Sequence, residues 1–173
     1  MSFLVTDMDD PRWTKRGALH VPPGEGLVRW VSGDEYVIKA TKSSTNGSLG
    51  FIDAIVPPGG GPVAHAHADQ DEAFYLLSGE LEFLDGDQTF VAEPGAFVFV
   101  PRNHRHRFLN IGRDPVHMLF MFTPGGPEDF FVEGGDEPVP GEQPAPWPLE
   151  RFMQVADLAE RTGSQALPEA PPA

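Results

Sequence analysis

Two stretches decide the fold: GGGPVAHAHADQDEAFYLLSG at residues 59–79 and GAFVFVPRNHRHRFLN at residues 95–110. The first places Gly59, His65, His67, Glu72 and Gly79; the second places Gly95, Pro101, Asn103, His106 and Asn110. His65 and His67 are two residues apart. On a strand that spacing puts both imidazoles on one face, because strand side chains alternate with period two. Glu72 follows a short polar turn at 68–71, and His106 arrives on a separate strand. Three imidazoles and one carboxylate at these spacings are a donor set suited to a single transition-metal ion. Assembling them requires two converging strand pairs, and therefore a β-barrel or sandwich.

The flanking sequence reads the same way. Upstream, strands are expected at 26–31, 35–42 and 49–56, with Asn46-Gly47 as a hairpin turn signal. Residues 57–62 form a rigid Pro/Gly corner that delivers the chain to His65. Downstream, strands are expected at 73–77, 81–84, 88–91, 96–100, 107–110 and 116–122, with Asp85-Gly86-Asp87 as a second hairpin signal. Strands recurring every roughly 8–12 residues between turn signals mark a sandwich or barrel. Residues 1–5 are apolar enough to add a strand or dock on a neighbour, and 7–16 read as loop.

After residue 123 the composition changes. Residues 128–142 hold six acidic side chains and no basic one, and 138–148 are proline-rich and expected to be extended. Residues 149–161 then show helical periodicity, with Pro148 before the first turn and Gly163 past the end. A disordered tail is expected from residue 168.

The two stretches resemble the conserved motifs of the cupin superfamily, G(X)5HXH(X)3-4E(X)6G and G(X)5PXG(X)2H(X)3N. Every fixed position agrees except one: Asn103 stands where the family has Gly. That glycine supplies a positive φ in a turn, and Asn tolerates this conformation best after Gly. The resemblance implies an all-β cupin double-stranded β-helix, a jelly-roll barrel, with a short C-terminal helix. It makes His65, His67, Glu72 and His106 the metal ligands, and it gives Glu72 a second role as catalytic base. The short helix after the barrel is similar to single-domain cupins of the quercetin 2,3-dioxygenase-like group. The expected organisation is N-terminal strands and loops at 1–48, the core with both motifs at 49–123, an acidic linker at 124–148, and the helix and tail at 149–173.

Composition narrows the function classes. The chain has 173 residues and a net charge of −14, which argues against nucleic acid and anionic membranes as partners. It has no cysteine, so thiolate chemistry, disulfides and finger-type zinc sites are excluded. No stretch approaches the ~18 apolar residues of a membrane helix. Residues 1–10 carry three aspartates and no basic segment, so a cytoplasmic location is expected rather than secretion.

The expected cofactor is one divalent ion of Fe, Ni, Mn, Co, Cu or Zn, with one or two coordination positions left open for chemistry. Alternation extends the site. If Glu72 points inward, so do Phe74 and Leu76; if His106 does, so does Phe108. On the last strand either Met118, Phe120 and Phe122 or His117, Leu119 and Met121 face in. The first set is favoured, because His117 lies near the strand start and can reach solvent. Phe74, Leu76, Phe108, Met118 and Phe120 are thus the candidate substrate pocket, apolar enough for an aromatic or polyketide-like molecule, though most such residues in any β-barrel are simply core. His104 is read as a loop residue, and Arg102, Arg105 and Arg107 as partners of local carboxylates. Trp13, Trp30 and Trp147 are read as packing residues.

Three functions follow as expectations. The first is a metal-dependent oxygenase resembling quercetin 2,3-dioxygenase, using O2. The second is a non-oxidative isomerase, lyase or polyketide cyclase. The third is a binding module that holds a small ligand without turnover. Cupins commonly pair through a sheet edge or a swapped N-terminal strand, so a homodimer is expected.

Overall fold

A computed structural model describes residues 17–169. The expectations for residues 1–16, Trp13 among them, and for 170–173 lie outside the described residues. Among the described residues, eleven strands form two antiparallel sheets. They are β1 (Leu27–Val31), β2 (Asp34–Ala40), β3 (Gly50–Val56), β4 (His65–His67), β5 (Asp71–Ser78) and β6 (Leu81–Asp85), then β7 (Gln88–Ala92), β8 (Phe97–Val100), β9 (His106–Leu109), β10 (Val116–Thr123) and β11 (Ser164–Ala166). The six-stranded sheet has the order β1-β2-β3-β10-β5-β8, and the five-stranded sheet the order β11-β4-β9-β6-β7. Hydrogen-bonded ladders stay within each sheet, so the jelly roll is two facing sheets rather than one closed barrel.

Period-two alternation sorts the core from the surface. On β10 the residues Val116, Met118, Phe120 and Phe122 are buried, while His117, Leu119 and Met121 are half-buried on the outer face. β5 buries Glu72, Phe74 and Leu76 and exposes Tyr75 and Leu77. The register places Phe74 opposite Phe120 and Glu72 opposite Phe122. From the facing sheet, Phe83 and Phe108 reach Phe74 at ring-centroid distances of 5.1 and 6.0 Å. Each such ring stabilises the fold by roughly 1.5–3 kcal/mol through burial alone. Asn110 closes one end of this core. Its Nδ2 donates to the carbonyls of Val56 and Asp114, both at 2.9 Å, and its Oδ1 accepts from Gly112 N–H at 2.9 Å.

Two helices follow the last core strand. α1 (Glu128–Gly134) lies inside the acidic stretch and was not foreseen from the sequence. Pro127 precedes it, and Glu128 and Asp129 occupy its first turn, where carboxylates suit the positive helix end. Glu128 is fully buried and accepts from the backbone N–H groups of Lys42 and Gly126, which pins the loop after β10 to the loop after β2. Phe131 packs tilted against Tyr36 at 4.6 Å and edge-on to Phe120 at 5.8 Å, so α1 covers one flank of the core. α2 (Leu149–Arg161) matches the helical periodicity, with Val155 its buried residue. Arg151 ties α2 to the end of α1 by donating to the Gly134 carbonyl at 2.6 Å. The chain then forms β11, a strand the sequence reading did not anticipate, which lies against β4.

Candidate metal centre

The four side chains singled out by spacing come together. One ligand atom from each of His65, His67, Glu72 and His106 lies within 4.8 Å of the others. The elements explain why. β4 presents His65 and His67 on the same face, β9 lies beside β4 with His106 opposite His65, and β5 brings Glu72 from the other sheet. The Glu72 Oε2 atom is 2.8 Å from Nε2 of His106 and 3.2 Å from Nε2 of His67. His67, Glu72 and His106 are buried, and His65 is half-buried at the rim.

The rings are held for ligation. Nδ1 of His65 faces the Val63 carbonyl at 2.9 Å, Nδ1 of His67 the Gly163 carbonyl at 3.2 Å, and Nδ1 of His106 the His104 carbonyl at 3.0 Å. A carbonyl only accepts, so each Nδ1 carries the proton. Each Nε2 is then the nitrogen left to bind a cation. Three preset Nε2 atoms and a buried carboxylate fit a divalent transition metal.

The four groups shift one another in opposite directions. Burial pushes Glu72 upward, but the adjoining His106 and His67 outweigh it and hold its carboxyl well below the usual range; a cation bound here would take the place of any proton that Nε2 shares with Glu72. Burial pulls His106 down, yet Glu72 raises it overall. Desolvation of the His65 ring, with His106 facing it, pushes His65 down to about 4, so it stays neutral at physiological pH. A neutral imidazole is the form that binds a cation.

The turn that Asn103 enables feeds this centre. Asn103 has φ 63°, the left-handed conformation expected at that motif position, and its N–H donates to the His67 carbonyl at 2.7 Å. The surrounding aromatics pack directly on the ligands: Phe122 lies 5.2 Å from His67 and Phe74 6.4 Å from His106 between ring centroids. Phe74, Leu76, Phe108, Met118 and Phe120 all point inward and are at most 4% exposed, filling the core beneath the ligands. Two grooves of about 410 and 420 Å³ lie elsewhere, lined by β7, β8 and His104.

The remaining polar residues fall where pairing puts them. Arg102 forms a two-pronged pair with Asp71, at 2.9 and 3.1 Å, and this holds the Asp71 carboxyl down at about 2. Arg105 pairs with Asp87, and Arg107 with Glu82 and Glu169. His104 sits in the loop against Asp85, and His117 against Asp53 on the outer face. Trp30 donates to Glu35, and Trp147 packs on Phe152 beneath Arg151. The Gly163 carbonyl was missed by sequence reasoning, since a backbone group leaves no signature beyond the glycine itself.

Two facing antiparallel sheets with a His-x-His strand, a glutamate on the next strand and a third histidine on a separate strand define a cupin. Residues 53–122 match the Cupin domain family. The chain belongs to the cupin superfamily. It is 32% identical over 107 residues to the tetracenomycin polyketide synthase protein TcmJ of Streptomyces glaucescens, a match covering 61% of this chain and 72% of that protein. It is also 32% identical over 114 residues to quercetin 2,3-dioxygenase of Bacillus subtilis, covering 65% of this chain and 33% of that protein. The crystal structure of a predicted oxalate decarboxylase from Thermotoga maritima shares the fold, with a TM-score of 0.57, 21% identity, and coverage of 61% of this chain and 98% of that one. Among the described residues, no helix is long and apolar enough to cross a membrane.

Proposed function

We propose that this chain is a metal-dependent cupin enzyme whose centre is held by His65, His67, Glu72 and His106, and that it oxidises an oxygenated aromatic or polyketide-like small molecule. The observation that carries the reading is the convergence of three Nε2 atoms and one carboxylate oxygen within 4.8 Å, with every Nδ1 tied to a carbonyl. A bound divalent ion would supply Lewis acidity toward a phenol or enol oxygen of the substrate. The protein's own part is to orient the imidazoles, to exclude bulk water with Phe74, Phe120 and Phe122, and to hold a proton acceptor, Glu72, at the centre. Similarity to the quercetin dioxygenase supports the oxidative chemistry.

A second reading draws on the other relative. The match to TcmJ, a polyketide synthase protein, spans 72% of that protein and supports a polyketide-like substrate, on which the alternative chemistry is that of a non-oxidative isomerase, lyase or polyketide cyclase. Oxygen consumption with flavonols, catechols and polyketide phenols separates the two. Uptake of O2 with substrate loss supports the oxygenase; product formation without uptake supports the second reading. Tight metal binding with neither leaves a ligand-binding cupin. His106→Ala is expected to lose stoichiometric metal by elemental analysis, and retention of a full equivalent would overturn the ligand assignment.

The reading includes a homodimer. The outer face of the six-stranded sheet exposes Tyr75, Leu77, Phe97 and Phe99 on the adjacent strands β5 and β8, and Ile55 on β3 beyond the intervening β10, an apolar surface of the kind that a second subunit covers.

A further inference from the structure

We propose that the C-terminal segment 163–169 is a positioning element of the metal centre, with the Gly163 carbonyl selecting the tautomer of His67. The inference rests on the reading of His67 as a ligand.

β4 is three residues long and carries two of the four candidate ligands. It meets β9 at one register pair, His65 with His106. It meets β11 at three: Ser164 with His67, Gln165 with Ala66, and Ala166 with His65. The next residue continues the ladder, with Leu167 N–H donating to the Ala64 carbonyl at 2.8 Å. The greater part of the frame around β4 therefore comes from a segment almost a hundred residues away in sequence. Without β11, β4 would be an edge strand, free to fray where geometry matters most.

The contact to the ligand is direct. His67 Nδ1–H donates to the Gly163 carbonyl at 3.2 Å, and Ser164 Oγ lies 3.4 Å from the same nitrogen. His65 and His106 take their Nδ1 acceptors from residues two positions away, Val63 and His104. Only His67 takes its acceptor from outside its own strand and turn. Gly163 is shaped for this: its φ is +101°, and a Cβ there would meet Gln70 Oε1 at 2.8 Å. Gln70 belongs to the turn between His67 and Glu72, so the bare Cα of Gly163 packs against the loop linking two ligands. Two further contacts hold the segment down: Arg105 Nε–H donates to the Leu167 carbonyl at 2.8 Å, and Arg107 pairs with Glu169 at 2.6 Å. Partners that orient a ligating histidine typically govern metal affinity by 10–100-fold.

The test uses the full-length protein, Gly163→Ala and Gln165→Pro. The alanine strains the left-handed backbone, φ +101°, that presents the carbonyl to His67. The proline removes the ladder donor opposite Ala66, which alternation places in a hydrogen-bonded pair beside Leu167 and Ala64. Co(II) affinity is measured by chelator competition, the His67 tautomer of the metal-free protein by long-range 1H–15N NMR, and melting of the metal-free protein by circular dichroism. Wild type is expected to bind Co(II) and to show an Nδ1–H tautomer at His67. Each folded variant is expected to bind about 10–100-fold more weakly and to lose the single tautomer. A purely structural role would lower melting and leave both readouts in place, which would overturn the proposal. An Nε2–H tautomer in wild type would overturn it even if both variants failed to fold. Failure of wild type to bind Co(II) would instead refute the metal-centre reading, while the tautomer spectrum still decides the positioning claim.

Discussion

Asn103 shows how far one residue can be read. It departs from the cupin glycine, yet its φ of 63° is the conformation that the glycine exists to supply. Asn103→Gly is therefore expected to be nearly neutral, whereas Asn103→Val should cost roughly 1–2 kcal/mol, because Cβ crowds the carbonyl in that region. Urea midpoints of the three proteins check this. Asp34 is a different case, invisible to motif reasoning. It is 3% exposed, accepts from the Tyr36 hydroxyl at 2.8 Å through Oδ2, and its Oδ1 has no partner among the described residues. Burial, partly offset by the Tyr36 bond, pushes its carboxyl up to about 7 from 3.8. Between those values the native state keeps a proton that the unfolded chain has released. The associated stability is full below about pH 4 and is lost as pH rises through about 7. Asp34→Asn abolishes this titration. The variant should gain on wild type between about pH 4 and pH 8, and a constant offset across a pH series of unfolding midpoints would contradict the assignment.

The elements divide into those that announce themselves locally and those made by their neighbours. Alternation gives the inward face of β5 once Glu72 points inward, on β10 it leaves two apolar faces between which His117 decides, and the imidazole spacing on β4 needs no further context. α2 was equally legible, bounded by Pro148 and Gly163. α1 was not. Its seven residues sit in an acidic, glycine-flanked stretch, and what makes them a helix is the surface offered by Tyr36 and Phe120. Phe131→Ala should therefore destabilise the protein by roughly 2–4 kcal/mol, the range for a large aromatic removed from a packed site. An unchanged denaturation midpoint would mean that α1 merely rests on the core. β11 was hidden for a related reason: Ser-Gln-Ala has little strand propensity, and the open edge of β4 recruits it.

At the scale of the whole molecule, one broad face of the six-stranded sheet is left uncovered among the described residues. Ile55, Tyr75, Leu77, Phe97 and Phe99 stay exposed on it, and His117 and Asp53 meet on it at 2.7 Å. Size-exclusion chromatography with light scattering at low micromolar concentration should report a dimer, and Phe97→Glu should dissociate it without changing metal content. A wild-type monomer under those conditions would remove the dimer from the proposal.

The pairing of the arginines near the site has a consequence for what approaches it. Arg102, Arg105 and Arg107 are each engaged by a carboxylate of the same chain, so these cations are already committed, while the molecule as a whole carries −14. A neutral phenolic compound diffuses toward such a surface unopposed, whereas a carboxylated or phosphorylated analogue climbs a repulsive potential that added salt would flatten. Discrimination against acidic metabolites thus begins in the solvent, before any side chain at the centre is touched.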